Sequence, residues 1–440
     1  MSDLAIDASP AVPTRIQGSA DAQRRTAARN AAEWRFRAYG LLAIFIGLAC
    51  VAILFGTIIG KGWTAFAQTA IALDVKLDPA VIDPSGGKSA EDIDAADYQS
   101  LAAEALYQKL GLAADDQEAK DKAAALLSTS ASDVLKALVK ADLGNIGATV
   151  PVLILAHGNV DALMKGEIDR NVPEAERLVG DRQLAFFDKL LATGAIALHF
   201  NKGLFTFGAS SQPETAGLAV AIVGSLFMML TVVALAVPLG VAAAIYLEEY
   251  APRNWFTTLV EVNINNLAAV PSIVFGLLGL SIFINFAGLP RSASIVGGLV
   301  LTLMTLPTII ITARSAITAV PPSIREAALG VGASKMQSIF HHVLPLAFPG
   351  ILTGTIIGLA KALGETAPLL MIGMVAFIVD VPKTPLDPAT ALPVQIFMWA
   401  GAQERGFVER TSGATMALLL FLMVINIIAV VLRRRFERKW

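Results

Sequence analysis

Long apolar runs alternate with polar segments along the chain of 440 residues. An α-helix needs about 20 predominantly apolar residues to cross the hydrocarbon core of a bilayer, because each residue adds about 1.5 Å along the helix axis. Six runs reach that length, and they cover residues 38–60, 217–247, 259–287, 293–313, 347–378 and 412–432. The pattern therefore predicts an all-α polytopic membrane protein with about six transmembrane helices.

The polar segment 61–214, between the first two runs, has a different pattern and predicts a small mixed α/β insert. Apolar residues alternate with small or charged ones over 71–77, which is typical of a half-buried strand. The segments 91–112 and 116–143 have the periodicity of amphipathic helices. The segment 196–207 has a turn at its centre and predicts a hairpin that pairs with the first strand.

The composition supports a membrane protein. Hydrophobic residues make up 55% of the chain, the mean hydropathy is +0.63, and the net charge is only −2. Basic residues concentrate in an amino-terminal arm, 1–37, and in a tail, 433–440. Because Lys and Arg mark the cytoplasmic side, both termini are expected in the cytoplasm and the insert outside it. The first apolar run starts too late for a cleavable signal peptide, and the lone Cys50 excludes an intrachain disulfide.

The segment from Pro321 to Pro345 is polar, broken by glycine, and lies between two membrane-length runs. Ser323 and Glu326 have the spacing of a capping box for one helix. Gly332 breaks the chain, and Ser334 can cap a second helix. The pattern predicts a small-surfaced helix–turn–helix at the membrane face, suited to a partner's groove. Glu326 could instead serve only to cap its helix.

The same residues resemble the EAA loop of ABC-importer permeases. Glu326-Ala327-Ala328, Gly332 and Leu344-Pro345 keep the family's spacing, whereas His342 stands where the family has isoleucine. The resemblance implies a type I ABC-importer permease fold over 215–432, with the loop 314–346 coupling to an ATPase subunit. It assigns that coupling to Arg325, Glu326, Ala327, Ala328 and Gly332.

The fifth apolar run contains two charges, Lys361 and Glu365. Being four residues apart on one helix, they are expected to share a face with the glycine stripe at positions 350, 354 and 358. A small-residue stripe lets helices approach closely, so this face is expected to meet a partner subunit or line the path. Lys361 could neutralise a passing oxyanion while Glu365 limits how tightly it binds. The two could also form a self-satisfied ion pair.

Around Glu365, the sequence Gly364-Glu-Thr-Ala-Pro-Leu-Leu370 resembles the GETAPLL segment of phosphate-transport permeases of the PstA type. The resemblance implies inorganic phosphate as substrate and a basic residue at the position of Lys361. Pro368 is expected to break the helix, which makes Thr366 a further path candidate. Arg314, at the inner end of the fourth run, could meet the anion on exit or act as a snorkelling anchor.

Other proline-containing positions invite two further hypotheses. Pro271 and Pro307 could break the third and fourth runs, although ordinary helix packing is the simpler explanation. The loop 379–411 contains an apolar stretch, 392–397, that could be a re-entrant segment or lid. An ordinary solvated loop is the simpler reading there.

The sequence contains no pattern for an independent catalytic site. Gly86-Gly-Lys-Ser89 imitates the end of a phosphate-binding loop, but Ile82 stands where that motif requires glycine. The neighbouring His341 and His342 lack the accompanying residues of a metal site. No basic, aromatic stripe indicates nucleic-acid binding. We therefore expect a non-catalytic subunit without a cofactor or metal of its own.

These patterns together predict the permease subunit of an ATP-driven phosphate importer in the bacterial cytoplasmic membrane. The expected partners are an ATPase dimer, which binds ATP and magnesium, a sister permease, a phosphate-binding periplasmic or surface protein, and membrane lipid. Two alternatives stay open. One is a permease for another oxyanion or small solute, and the other is a sensory or scaffolding subunit that acts through the insert.

Overall fold

The computed structural model describes residues 20–436 and divides the chain into two compact units, up to Thr57 and from Ile58 onward. Within the described residues the first unit is a single helix, α1 (Ala20–Gly62), whose last residues belong to the second unit. The predicted arm from residue 20 and the first span are therefore one continuous helix. Residues 1–19 of the arm, and Arg438 and Lys439 of the tail, lie outside the described residues.

The insert contains a three-stranded antiparallel sheet and several helices, so that the predicted mixed α/β character is confirmed. In chain order its elements are β1 (Ala67–Lys76), α2 (Pro79–Ile82), α3 (Ala90–Ala95), α4 (Tyr98–Leu110), α5 (Gln117–Ala124), α6 (Ala131–Ala141), β2 (Thr149–Leu155), α7 (Gly158–Met164), α8 (Asp181–Ala192), β3 (Ile196–Phe200) and α9 (Gly203–Thr206). The strand order is β2-β1-β3. Ile71, Leu73 and Val75 are at most 1% exposed and form the centre of the core, which α4 helps to cover.

Three predictions for the insert need correction. The segment 116–143 contains two helices, α5 and α6, because the chain between them bonds to the sheet, where the Ser128 N–H donates to the Leu155 carbonyl at 3.0 Å. The segment 91–112 contains two helices because Asp97 caps α4 by accepting the Ser100 N–H at 3.0 Å. The second half of the predicted hairpin is the short helix α9, since the Asn201 side chain accepts the Leu204 N–H at 3.0 Å and starts a helical turn. The first half, β3, does pair with β1. The pattern did not predict β2, whose Pro151 is tolerated because β2 is an edge strand.

The remaining helices form the membrane bundle. They are α10 (Ala219–Ile245), α11 (Trp255–Ala268), α12 (Ser272–Gly279), α13 (Ser294–Thr318), α14 (Pro322–Gly330), α15 (Lys335–Ser338), α16 (Leu344–Gly364), α17 (Ala367–Met371), α18 (Leu392–Ala400) and α19 (Gly406–Phe436). Three π-helical stretches, Tyr246–Tyr250, Leu280–Phe286 and Ile339–Val343, extend α10 and α12 and join α15 to α16. In the described chain, five helices are long and apolar enough to cross a membrane, or six with one bent pair.

The bent pair is α11 and α12, which meet at an angle of 101°. The run 259–287 is therefore bent, and the hypothesis that Pro271 breaks it is confirmed. The physical reason is Pro271, which takes φ −56° and ψ 135° ahead of α12 and cannot continue the hydrogen bonding of α11. Pro238 and Pro307, in contrast, stay inside α10 and α13.

The apolar stretch within 379–411 is a packed helix and not a solvated loop. Leu392, Pro393 and Val394 of α18 are buried against α10 and α19. The Leu392 N–H donates to the buried Ser225 hydroxyl of α10 at 2.9 Å, which fixes the start of the helix. Apolar side chains in a short segment are therefore explained here by packing onto the bundle.

Helix α13 lies at the centre of the bundle and packs against both α10 and α16. Glycines make these contacts close. A Cβ atom on Gly240 of α10 would lie 2.6 Å from the Ile309 side chain, and one on Gly354 of α16 would overlap Thr312. No side chain fits at either position without moving a neighbouring helix.

Substituting Gly354 by alanine should therefore destabilise the bundle by about 1–3 kcal/mol, the usual range for overpacking. Thermal unfolding in detergent would measure this as a lower midpoint. Gly56→Ala is the matched control, because a Cβ there meets nothing within 4 Å. Adding Thr312→Gly to Gly354→Ala should restore part of the loss. An unchanged midpoint for Gly354→Ala would contradict the close contact.

Candidate functional site

The first candidate region lies at the end of the bundle that carries α14 and α15, here called the loop end. Helix α14 begins at Pro322, directly after Pro321, and no side chain caps it. The capping box predicted for Ser323 and Glu326 is therefore wrong. Pro322 is pre-organised for the first helical position, so Ser323 lies inside the helix and cannot act as its cap. The Glu326 side chain is exposed.

Gly332 ends α14 through a left-handed turn, with φ +89°. The Gly332 N–H donates to the Leu329 carbonyl and the Ala333 N–H to the Ala328 carbonyl, both at 3.0 Å. These two bonds form a Schellman motif, which requires a residue that tolerates positive φ. The glycine of the EAA-like pattern therefore sets the angle between α14 and the following helix.

The second helix of the loop begins as predicted. The Ser334 hydroxyl accepts the Gln337 N–H at 3.2 Å, and the Gln337 side chain accepts the Ser334 N–H at 2.9 Å. This is a complete capping box. The Lys335 ammonium lies 4.9 Å from the centre of the Tyr250 ring, which joins α15 to the π-helical end of α10.

Arg325 points into the protein. Its guanidinium lies 2.8 Å from the Glu249 carboxylate and donates to the carbonyls of Ile317 and Val320 at 2.9 and 2.7 Å. Ile317 lies in the last turn of α13, whose carbonyls have no partner inside the helix, and Val320 directly follows the end of that helix. Arg325 therefore fixes α14 to the ends of α13 and α10. Its predicted contact with an ATPase is untested.

Arg314, also at the loop end, is held by two carboxylates. Its side chain lies 3.0 Å from Glu248 and 2.9 Å from Glu261, so that it joins α13 to the end of α10 and to α11. Arg314 and Glu248 border a cavity of about 580 Å³ that Asn265 also lines. This pairing favours a structural role for Arg314, and its predicted contact with an anion is untested.

The outer surface of the loop end is apolar and exposed. Leu329, Val331, Met336 and Phe340 are 51%, 86%, 61% and 45% exposed. We call these four residues the loop-end patch; the exposed Glu326 lies on the same helix as Leu329. Contiguous exposed apolar side chains beside polar ones are typical of a protein interaction surface.

The second candidate region lies at the opposite end of α16. The helix ends at Gly364, and Glu365 is extended, with φ −78° and ψ 129°. Lys361 and Glu365 therefore do not continue one helical face, and they form no ion pair with each other. Lys361 is exposed and Glu365 half-buried, and neither charged group bonds to another residue in the part of the chain that the structure describes.

The glycine stripe of α16 faces α13 of the same chain. A Cβ on Gly350 would lie 2.7 Å from the Ala316 Cβ, and one on Gly358 would contact Ile309 at 3.5 Å. The prediction that this stripe meets a partner subunit or lines the path is therefore wrong. The glycines of the stripe pack closely on α13, whereas Lys361 is exposed and lies outside this contact.

The helix break lies at Glu365 and Thr366, and Pro368 falls in the first turn of α17. Pro368 has no N–H to donate to the Gly364 carbonyl, four residues earlier, and its ring clashes with that carbonyl. The Thr366 carbonyl starts the new helix by accepting the Leu369 N–H at 3.1 Å. Pro368 is buried against α12, where a Cβ on Gly276 would lie 2.7 Å from its Cα.

The loop that follows α17 has a defined turn at its tip. The Asp387 carboxylate accepts the Thr384 and Lys383 N–H groups, each at 2.8 Å, and the Thr384 hydroxyl at 2.9 Å. The bonds from Thr384 and Lys383 hold the pKa of the Asp387 carboxyl below its usual range. The turn is therefore expected to persist at mildly acidic pH.

Sequence reasoning missed a cluster of buried charges where the insert meets α19. It contains Asp161, Lys165, Glu214, Glu409 and Arg410. Two charges at the head of the last apolar run were a weak signal, because charges commonly flank membrane spans. Their partners are more than 190 positions away along the chain, and no local pattern relates the two.

The fold defines a polytopic helical membrane protein. It has an ordered helix–turn–helix at the loop end of the bundle, and two unpaired charges beside the helix break at the opposite end of α16. Residues 236–440 match the family described as binding-protein-dependent transport system inner membrane component. Residues 23–174 match a domain of unknown function, DUF3333.

Two relatives show the family. The probable ABC transporter permease protein YqgH of Bacillus subtilis is 32% identical, over 53% of this chain and 76% of that protein. The phosphate transport system permease protein PstA of Yersinia pestis is 33% identical, over 50% of this chain and 74% of that protein. An inward-facing structure of the MetNI methionine ABC transporter covers 50% of this chain and 98% of its own, with 16% identity and a TM-score of 0.40.

The chain belongs to the ABC transporter permease family, and its predicted fold class is confirmed: a type I importer permease fold with an added α/β insert. Subunits of this family are non-catalytic, and ATP hydrolysis occurs in a partner ATPase. The comparisons leave the roles predicted for individual site residues untested.

Replacing Arg325 by glutamine should lower the unfolding midpoint, because it leaves Glu249 without its partner and removes the donors that Arg325 supplies to the Ile317 and Val320 carbonyls. The expected loss is about 1–3 kcal/mol. Thermal unfolding in detergent measures it, with Arg253→Gln as a control on an exposed arginine near the same end. The double variant Arg325→Gln/Glu249→Gln should be more stable than Arg325→Gln alone. Equal midpoints for wild type and Arg325→Gln would refute the internal role.

Proposed function

We propose that this chain is the transmembrane permease subunit of an ATP-driven importer of inorganic phosphate. The observation that carries the proposal is the GETAPLL-like segment, 364–370, which contains the break between α16 and α17. Relatives named as phosphate permeases, including PstA 1 of Mycobacterium tuberculosis at 31% identity, support phosphate as the substrate.

The unpaired charges beside the break provide the groups that bind the phosphate anion in this proposal. A charge at the centre of a membrane helix costs about 2.5–3.5 kcal/mol on insertion scales, so unpaired charges are retained where they face water or a substrate path. The exposed Lys361 ammonium can neutralise a phosphate oxyanion. Glu365 opposes binding that is too tight, and the Thr366 hydroxyl at the break can donate a hydrogen bond. Pro368 maintains the break.

The loop end transmits the movements of the ATPase to the membrane bundle. The loop-end patch, with Glu326 and Ala327, docks on one subunit of an ATPase dimer as the coupling helix. Ala328, Gly332 and Arg325 hold that helix at a fixed angle to α13, so that its displacement moves the bundle. ATP and magnesium bind to the ATPase, and this chain holds no cofactor or metal.

The proposed setting is the bacterial cytoplasmic membrane, with both termini and the loop end in the cytoplasm and the insert outside. A phosphate-binding protein delivers the substrate, and a sister permease completes the path. Lys361 lies in the last turn of α16 and is exposed, so that in this proposal it faces the sister subunit or the water between the two subunits. Arg314 can meet the anion on its exit only when Glu248 and Glu261 release the guanidinium.

Two alternatives remain distinct from this proposal. A permease for another oxyanion would use the same charges and would differ only in selectivity. A scaffolding subunit would act through the insert, and uptake would then be a secondary property. Deleting 61–214 would not separate these alternatives cleanly, because the deletion would leave Glu409 and Arg410 without the buried partners that surround them.

Uptake of radiolabelled phosphate by cells with the complete transporter tests the role of Lys361. Lys361→Ala should reduce uptake at least about tenfold at normal expression, since it removes a positive charge that the anion needs on its path. Lys361→Arg should restore part of it. Lys383→Ala is the control, because Lys383 is an exposed lysine on the neighbouring loop. Normal uptake by both Lys361 variants would place the anion site elsewhere.

A further inference from the structure

Lys165 of the insert is buried between two carboxylates from different parts of the chain. Its ammonium lies 2.7 Å from Asp161, in the first turn of α7, and 2.8 Å from Glu409, in the first turn of α19. The side chains of Lys165, Asp161 and Glu409 are only 2%, 8% and 6% exposed. An ion pair this deeply buried is far less screened by water than a surface pair.

The network extends into the sheet of the insert. The second oxygen of Asp161 accepts the Thr69 N–H at 2.8 Å and the Thr69 hydroxyl at 2.7 Å. Because Thr69 lies in β1, the central strand, a continuous set of charge-assisted bonds runs from the sheet through α7 to the last membrane helix.

Two further buried charges line the same joint. Arg410, next to Glu409, and Glu214 are each 2% exposed. Within the described chain, one terminal nitrogen of Arg410 and one oxygen of Glu214 are buried without a hydrogen-bond partner. The 3₁₀ turn that holds Glu214 packs on the start of α19, where a Cβ on Gly406 would lie 2.8 Å from Pro213.

Apolar packing would hold two elements together at a lower desolvation cost than this joint. Buried charges of this kind are retained in some proteins because they specify one arrangement of the elements that they join. The joint has the composition of a specific lock: removal of Lys165 would leave the Asp161 and Glu409 carboxylates buried without their shared cation.

The lock is connected to the proposed phosphate path through helix α19. Helix α19 packs against α16, which carries Lys361, and against α18. The insert makes a second contact on the same side, where the Ala209 N–H donates to the carbonyl of Ile378 at 2.9 Å, shortly after α17. A displacement of the insert would therefore act on both sides of the helix break.

We infer that Lys165 is a positioning residue that fixes the insert on α19, so that the insert and the path helix α16 move as one body. What binds the insert is then mechanically connected to the path, and the insert is a working part of the permease. The inference about transport rests on the proposed function, whereas the lock itself can be tested without it.

Hydrogen exchange of the purified full chain in lipid nanodiscs tests the lock. The main variant is Asp161→Asn/Lys165→Met/Glu409→Gln, which removes all three charges with similar shapes and leaves none of the three unpaired. Amides of α7 and of the first two turns of α19 should exchange about tenfold faster, as expected for a lost interaction of about 1.4 kcal/mol. Lys165→Arg alone should stay within about threefold of wild type.

The control is Arg182→Met, which removes an arginine from a surface pair with Asp116 and should change nothing. Unchanged exchange in the triple variant would overturn the lock, because packing alone would then hold the joint. Equally faster exchange in α4, in the far part of the insert, would also overturn it, because Lys165 would then serve only the fold of the insert.

Phosphate uptake by the same variants tests the connection to the path. The triple variant should lose turnover about tenfold while Lys165→Arg keeps most of it, in parallel with the exchange data. Faster exchange with normal uptake would overturn the mechanical connection and leave the lock intact. Failure of the wild type to import phosphate would refute the proposed function, and the exchange result would still decide the lock.

Discussion

The close contact of α13 with α10 and α16 is the constraint on which the other features depend. Glycines at 240 and 354 remove the side chains that would separate the helices, and the overlap predicted for any Cβ at 354 shows how little space is left. Since α13 cannot shift against its neighbours, its loop-end carbonyls become a fixed platform that Arg325 can bind. The same contact involves the glycines of α16, whereas Lys361, in the last turn of that helix, is exposed.

Charge placement follows from this architecture. At the loop end, Arg314 and Arg325 are each matched by carboxylates from the end of α10 or from α11. At the joint with the insert, Lys165 is matched by two carboxylates. Lys361 and Glu365 are left without partners in the described chain, and they lie beside a helix break. Paired charges hold the helices, and unpaired ones are available for a substrate.

Much of the fold could be predicted because its signals are local. The alternation over 71–77 became a buried strand, and Ser334 caps the helix that its spacing with Gln337 permits. The length of the apolar runs gave nearly all the spans. Pro271 marked a possible break in the third run, but the sequence could not decide between a sharp bend and ordinary packing of a continuous helix. Apolar composition hid the packed helix α18, whose short apolar stretch resembles a lid.

The candidate sites were less predictable because they depend on direction and on distant partners. The sequence pattern includes Arg325 in the coupling loop, but the pattern cannot say that its side chain turns inward to Glu249. The periodicity of α16 places Lys361 and Glu365 on one face only if the helix continues, and Pro368 stops it. The contact of Lys165 with Glu409 joins residues 244 positions apart, beyond any local pattern.

The most direct test of the central claim is ATP-dependent uptake of labelled phosphate into proteoliposomes that contain this chain, its sister permease, the ATPase and the binding protein. The account predicts uptake that requires ATP, that excess unlabelled phosphate abolishes and that excess sulfate leaves unchanged. ATP-dependent uptake of another solute without uptake of phosphate would contradict the proposed substrate. No ATP-dependent uptake of any solute would contradict the role as an importer subunit.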